Sequence, residues 1–152
     1  MYNPDNGSLC TGRPKPSPCS AHSIARSCEP EAIPNGTLVE GVELWFEQGR
    51  VVEARATKNQ AFLQSMLDTD AGARYLGEWA MGTNENINTF IKNILFDEKM
   101  GGTMHMAVGA GYPQTGSRNH SALHWDLITD MTDGGRVLVD GDLFYDSGEF
   151  TI

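Results

Sequence analysis

His124-Trp125-Asp126 is the most informative short spacing in the chain. Residues two apart in a strand point to the same face, so His124 and Asp126 project together while Leu123, Trp125 and Leu127 pack the other side. An imidazole nitrogen and a carboxylate on one face are a natural pair of ligands for a divalent ion. The same spacing also suits a surface His–Asp hydrogen bond on an ordinary edge strand. His105 lies in Thr103-Met104-His105-Met106-Ala107-Val108-Gly109. Its same-face neighbours, Thr103 and Ala107, are small, and Met104, Met106 and Val108 form the opposite, apolar face. Small neighbours leave room for an ion or a substrate; a core histidine bonded to backbone fits the same pattern. Two acidic positions extend the set: Glu78, between Gly77 and Trp79, and Glu98 in Phe96-Asp97-Glu98. An isolated glutamate is ordinarily a solvated surface group. Glu78 and Glu98 acquire chemical meaning only where the fold carries them against the strands of His105 and His124.

The elements that must position these side chains begin after residue 34. Val42, Leu44 and Phe46 alternate with Glu43, Trp45 and Glu47, which predicts a half-buried strand. Gln48-Gly49 turns the chain and residues 50–54 return, so a hairpin is expected. Thr57 is placed to cap a helix carrying Ala61, Phe62, Met66 and Leu67 on one side. Further helices are expected over 70–76 and 87–95, and strands over 103–108, 123–128, 136–139 and 143–145. Gly134-Gly135 and Asp140-Gly141 supply turns. There is no internal repeat and no regular βαβ rhythm. The expected class is α+β: a mixed, mainly antiparallel sheet with a few flanking helices. Residues 1–34 read differently. They hold six of the seven prolines and a stretch, 12–20, without periodicity or much to bury, which favours extended or disordered chain. The expected division is an N-terminal arm, poorly ordered or degenerate, over 1–34 and a domain over 35–152.

Charge narrows the partners. Twenty acidic residues against eleven basic ones give a net charge of -9 over 152 residues, the opposite of a nucleic-acid footprint and unsuited to an anionic membrane surface. No apolar stretch approaches the ~18 residues of a membrane span, and residues 1–20 lack the apolar core of a secretory signal. The expected compartment is the cytoplasm. Cys10, Cys19 and Cys28 are odd in number and evenly spaced, matching neither a disulfide framework nor a zinc-site pattern. Other motifs fail on detail. Gly109-Ala110-Gly111-Tyr112-Pro113-Gln114 lacks the third glycine of a dinucleotide fingerprint. In Asp68-Thr69-Asp70-Ala71-Gly72 the glycine, like Glu78 after it, comes one place early for a calcium loop. No Gly-x-Ser-x-Gly elbow exists. Asn35-Gly36-Thr37 and Asn119-His120-Ser121 are sequons without a secretory context.

A longer series of motifs is more specific. Gly36-Thr37-Leu38-Val39-Glu40-Gly41, Phe46-Glu47-Gln48-Gly49-Arg50-Val51-Val52 and Thr69-Asp70-Ala71-Gly72-Ala73-Arg74-Tyr75-Leu76-Gly77-Glu78 occur in this order. Leu95-Phe96-Asp97-Glu98, His105-Met106-Ala107-Val108-Gly109, Tyr112-Pro113 and His124-Trp125-Asp126 follow. Over roughly residues 35–145 the series resembles the C-terminal catalytic part of the thermophilic metalloaminopeptidases, the aminopeptidase T type. The resemblance implies a two-metal exopeptidase that releases N-terminal amino acids from peptides and works as a homodimer. It implies two divalent ions, zinc, cobalt or magnesium. By motif position, Glu78 would be the carboxylate shared by both ions, and His105, His124 and Asp126 further ligands. Tyr112 would stand beside the metals as ligand or oxyanion partner, and Glu98 would serve metal binding or proton transfer.

The resemblance also implies departures. The family's separate N-terminal domain has no counterpart in the sequence. An earlier metal-binding glutamate of the family falls, by the nearest match, in Asn3-Pro4-Asp5-Asn6-Gly7-Ser8-Leu9-Cys10-Thr11, where Ser8 takes its place. A neutral hydroxyl is a poor substitute for an anionic ligand, so the first ion site is expected to be incomplete. The spacing from Glu98 to His105 is two residues longer than the family form, at Gly101-Gly102. The alternative to an active enzyme is a catalytically impaired remnant that acts as a metal-binding or dimerisation domain.

Overall fold

In the computed structural model, residues 23–26, 31–32, 37–91 and 93–151 are described. In chain order the elements are β1 (Ser23–Arg26), β2 (Glu31–Ala32), β3 (Leu38–Val39), β4 (Glu43–Glu47), β5 (Arg50–Arg55), α1 (Gln60–Leu67), β6 (Leu76–Met81), α2 (Ile94–Asp97), β7 (Thr103–Gly109), β8 (His124–Asp130), β9 (Arg136–Val139), β10 (Asp142–Asp146) and β11 (Glu149–Phe150). A single 3-10 turn spans Pro113–Thr115. The strands form small sheets in the orders β1-β4-β5, β2-β3, β6-β7-β8 and β11-β10-β9, and every pairing within them is antiparallel. The mixed, mainly antiparallel architecture expected from the sequence is thus present, with fewer and shorter helices.

The clean alternations become strands. Leu44 and Phe46 are buried on β4 while Glu47 is exposed. Gln48 and Gly49 both have positive φ, at 49° and 75°, the two-residue turn whose twist matches a hairpin. Asp140 and Gly141, at 55° and 97°, do the same between β9 and β10. β7 is the central strand of its sheet, flanked by β6 and β8, and all seven of its residues are buried. Met104, Met106 and Val108 join Leu44, Leu63, Leu67, Trp125, Leu127 and Tyr145 in one apolar cluster.

Three expected helices are altered by side chains that bind backbone groups. Thr57 caps nothing: its Oγ1 donates to the Glu40 carbonyl, and α1 starts later, behind Asn59 in the left-handed region. Residues 70–76 form turns and the start of β6, because the Asp70 carboxylate accepts from the N–H groups of Gly72 and Ala122 and from Ser121 Oγ, so local backbone bonds to a side chain compete with helix. Of 87–95 only the last two residues are helical, in α2. The buried Asp97 carboxylate holds the N–H groups of Ile91 and Asn93, and the Asn93 side chain caps Leu95, which restarts the chain as one turn at Ile94. β1 and β2 fall within the expected arm and pair with β4 and β3. The remainder of that arm, with Ser8 and the three cysteines, lies outside the described residues.

Candidate metal centre

Pairing across β6, β7 and β8 sets three residues in one row: Glu78 opposite Ala107, and Ala107 opposite Asp126. Directly paired residues share a face of the sheet. Ala107, with only a methyl, lies between two carboxylates and leaves the space above it open. His105 projects from the same face two residues away. His124, opposite Gly109, completes the set at the end of β8.

Glu78 reaches this face because of a defect. The register shifts between Leu76, opposite Val108, and Glu78, opposite Ala107. A regular ladder would pair Glu78 with Met106 and turn it into the apolar core, since a slip of one residue moves a side chain to the other face. Gly77 is the extra residue of a bulge, a device that re-aims a side chain next to a site. Only glycine fits there: an added Cβ would lie 2.3 Å from the Ala110 carbonyl oxygen and 2.5 Å from that of Gly109. Glu98 arrives from a different direction, as the residue after α2, anchored by Asp97.

Six ligand atoms from five residues converge. Glu78 presents Oε1 to His105 Nε2 at 3.3 Å and Oε2 to His124 Nε2 at 3.8 Å. His124 Nε2 lies 3.5 Å from Asp126 Oδ2, and His105 Nε2 3.9 Å from Glu98 Oε2. Two trios, Glu78–His124–Asp126 and Glu98–His105–Asp126, each hold their ligand atoms within 4.8 Å of one another, with Asp126 common to both. Lys99 Nζ binds Glu98 Oε1. His105 is 3% exposed. Tyr112 is exposed, its ring edge-on to His124 with centroids 5.6 Å apart. His120 is exposed and belongs to neither trio.

The donor set fits divalent cations. His124 Nδ1 lies 2.7 Å from the Ala110 carbonyl oxygen. A carbonyl only accepts, so Nδ1 carries the hydrogen and, in the neutral ring, Nε2 turns its lone pair toward Glu78 and Asp126. Lone pair facing carboxylate at 3.5–3.8 Å is unfavourable until a cation lies between them. Ligand atoms ~2.0–2.2 Å from a tetrahedral ion are about 3.3–3.6 Å apart, close to the distances seen. Burial pushes the Asp126 carboxyl above the ordinary carboxylate range; the Glu78 and Glu98 charges add to the rise, and His124 and His105 oppose it. The hydrogen bond to Glu98, with the negative charges of Glu98 and Glu78, raises Lys99. Imidazole with carboxylate suits zinc and cobalt, and magnesium through the carboxylates.

The structure therefore brings Glu78, Glu98, His105, His124 and Asp126 to one face, with Tyr112 against its rim. Three contributors had no reading in the sequence: the Ala110 carbonyl that orients His124, Lys99, which pairs with Glu98, and Asp97, which anchors its segment. Gly77 inside a strand was the available sign of the bulge.

The sequence profile of the thermophilic metalloproteases (M29) matches residues 21–150. Aminopeptidase T of Thermus thermophilus is 40% identical over 95 residues, which are 60% of this chain and 22% of that protein. Aminopeptidase AmpS of Bacillus subtilis is 36% identical over 81 residues, 51% of this chain and 19% of that one. Aminopeptidase 2 of Geobacillus stearothermophilus is 39% identical over 83 residues, 52% and 20%. The solved structure of wild-type AmpT from Thermus thermophilus superposes with a TM-score of 0.67 at 29% identity, over 85% of this chain and 36% of that chain. The chain thus spans about a fifth of the length of the curated relatives it matches.

Proposed function

The chain belongs to the M29 family of thermophilic metalloproteases, and on that premise we propose that residues 35–152 are the catalytic domain of a metal-dependent aminopeptidase. The reaction is hydrolysis of the first peptide bond of a peptide substrate with a free N-terminus. The observation that carries the reading is Glu78, whose two oxygens face two different imidazoles, 3.3 Å from His105 and 3.8 Å from His124. A carboxylate so placed suits the shared ligand of two ions. His105 on one side, and His124 with Asp126 on the other, would supply further donors. Zinc, cobalt or magnesium held by these residues would supply an acidified water and a polarised scissile carbonyl.

The protein groups do the rest. Glu98 keeps Oε1 on Lys99 and turns Oε2 toward His105, the position from which a carboxylate takes the proton of the attacking water and passes it to the leaving amine. Tyr112, exposed beside His124, is placed to serve as oxyanion partner there. Three carboxylates on one face also suit the ammonium group of a peptide N-terminus. The test is release of leucine from a leucyl chromogenic substrate with added cobalt. Turnover abolished by a chelator and by Asp126→Ala supports the reading; turnover untouched by both overturns it.

One observation favours a second reading, a metal-binding domain that associates without turnover. Ile91, Leu95 and Phe96 are 58%, 70% and 53% exposed on the segment that carries Glu98, and exposed apolar clusters promote association. Under either reading the protein is a homodimer. Sedimentation measures the association, and the leucyl assay separates the two.

A further inference from the structure

The turn between β7 and the 3-10 turn carries the carbonyl that orients His124, and the backbone of its first two residues, Gly109 and Ala110, is bonded at every polar atom. The Gly109 N–H donates to the Tyr75 carbonyl at 2.7 Å and the Ala110 N–H to the Leu123 carbonyl at 2.6 Å. The Ala110 oxygen accepts from His124 Nδ1 at 2.7 Å. The Gly109 oxygen accepts from Asn119 Nδ2 at 2.6 Å. The second hydrogen of that Nδ2 goes to the Gly72 oxygen at 2.8 Å, and Asn119 Oδ1 accepts from the Ser121 N–H at 3.2 Å. Two carbonyls and one N–H around a single side chain fix which end of the amide is nitrogen.

We propose that Asn119 is a positioning residue for the metal centre, holding the Gly109-Ala110 peptide and, through it, the adjoining Ala110 carbonyl that aims the His124 ring. The inference rests on reading His124 as an ion ligand. Asn119 joins three segments that meet nowhere in sequence: the turn before β6, the exit of β7 and the approach to β8. The contact at Gly72 is close: a Cβ there would lie 2.2 Å from Asn119 Oδ1 and would push that side chain aside. Without the amide donors the Gly109 oxygen loses its partner, and the peptide plane, held only by the Ala110 N–H on Leu123, can pivot about that bond. The Ala110 oxygen moves with it, and the imidazole loses the hydrogen bond that holds its tautomer and direction. Outer partners of this kind act on metal affinity as well as on fold. The same two bonds occupy the nitrogen of the Asn119-His120-Ser121 sequon, so the folded protein offers no free amide there.

Cobalt(II) titration followed by visible absorption tests this on the wild type, Asn119→Asp and His124→Ala. Asn119→Asp keeps the shape and removes both donors. Its cobalt affinity is expected to fall about tenfold or more, with the absorption band displaced in the direction seen for His124→Ala. Asn119→Ser, short enough to admit a bridging water, is expected to recover part of the loss, and it carries the test should Asn119→Asp fail to fold. A merely structural role lowers the melting temperature and leaves affinity and band as in the wild type; that result overturns the proposal. Wild type that takes up no cobalt, or His124→Ala that titrates like wild type, removes the ligand reading of His124 and the inference with it.

Discussion

The β4–β5 hairpin and the β6–β7–β8 sheet are both antiparallel, and each carries one register shift. In the hairpin the shift serves packing. Val51 and Ala54, three residues apart, both turn inward opposite Phe46 and Leu44. The outer face holds charge in water, with Arg55 stacked 4.9 Å over Trp45 and paired with Glu53. In the three-stranded sheet the shift does the reverse. One face is apolar, with Trp79, Met106 and Leu127 in a row; the other turns Glu78, His105 and Asp126 into a shielded space. There His105 Nδ1 is buried with no hydrogen-bond partner among the described residues, and burial works against the Asp126 charge. The same local device thus contributes stability in one region and opposes it in the other, as expected where side chains are arranged for a ligand rather than for the empty fold.

Substitutions separate the two regions. Glu78→Ala removes the carboxylate that spans both imidazoles. Its expected effect is the largest, a fall in metal-dependent turnover of at least about a thousandfold, ~4 kcal/mol of barrier, while the metal-free protein melts no lower than wild type. Kinetics with cobalt and calorimetry under chelator check the two halves; a lower metal-free melting temperature would break the contrast. Leu44→Ala, at a residue 0% exposed, is expected to cost about 3 kcal/mol by loss of burial and a residual cavity. Urea unfolding measures this, and cobalt affinity per folded molecule should not change. Gly77→Ala sits where the regions touch. Its Cβ has no room against the Ala110 and Gly109 carbonyls, so it should cost about 1–3 kcal/mol and weaken cobalt binding as well. A variant that lost stability and kept full metal affinity would show that Glu78 does not depend on the bulge.

The contrast also explains what the sequence disclosed. The hairpin, β7, β8 and β9 follow period-two alternation and two-residue turns, and such signals are local. The His124–Asp126 pair was legible for the same reason, as was the small-residue flank of His105. β6 was not, because Gly77 breaks the alternation and its meaning lies in carbonyls more than thirty positions away. Residues 70–76 read as helix because nothing nearby shows that Ser121 and Ala122 will bind Asp70. The approach of Glu98 depends on a buried aspartate gathering the nearby N–H groups of Ile91 and Asn93, an arrangement that leaves no periodic signal. Motif order carried the acidic residues into the site where local pattern did not.

The smallest expected effect is in the pH dependence of the metal-free protein, and it too divides the regions. Asp126 has a raised carboxyl, with burial the main cause. A group whose folded value lies above its unfolded one binds the extra proton in the folded state. Its contribution to stability is complete below the ordinary carboxylate value of about 4 and is lost as pH rises through the folded value. Asp70 runs the other way. The Ala122 N–H, then the Ser121 hydroxyl, hold its carboxyl below the ordinary value, so its contribution is present above that value and is lost as pH falls through the lowered one. Under chelator, Asp126→Asn should therefore melt higher than wild type near pH 7, with the difference closing as pH approaches 4; Asp70→Asn should melt lower near pH 7 and close its difference in acid. Added zinc should reverse the order for Asp126 alone, because the ion favours the ionised carboxylate that the empty face disfavours. Melting curves at the two pH values, with and without zinc, give all four comparisons. Equal slopes for the two variants would mean that the site face is no more hostile to charge than the turn that Asp70 closes.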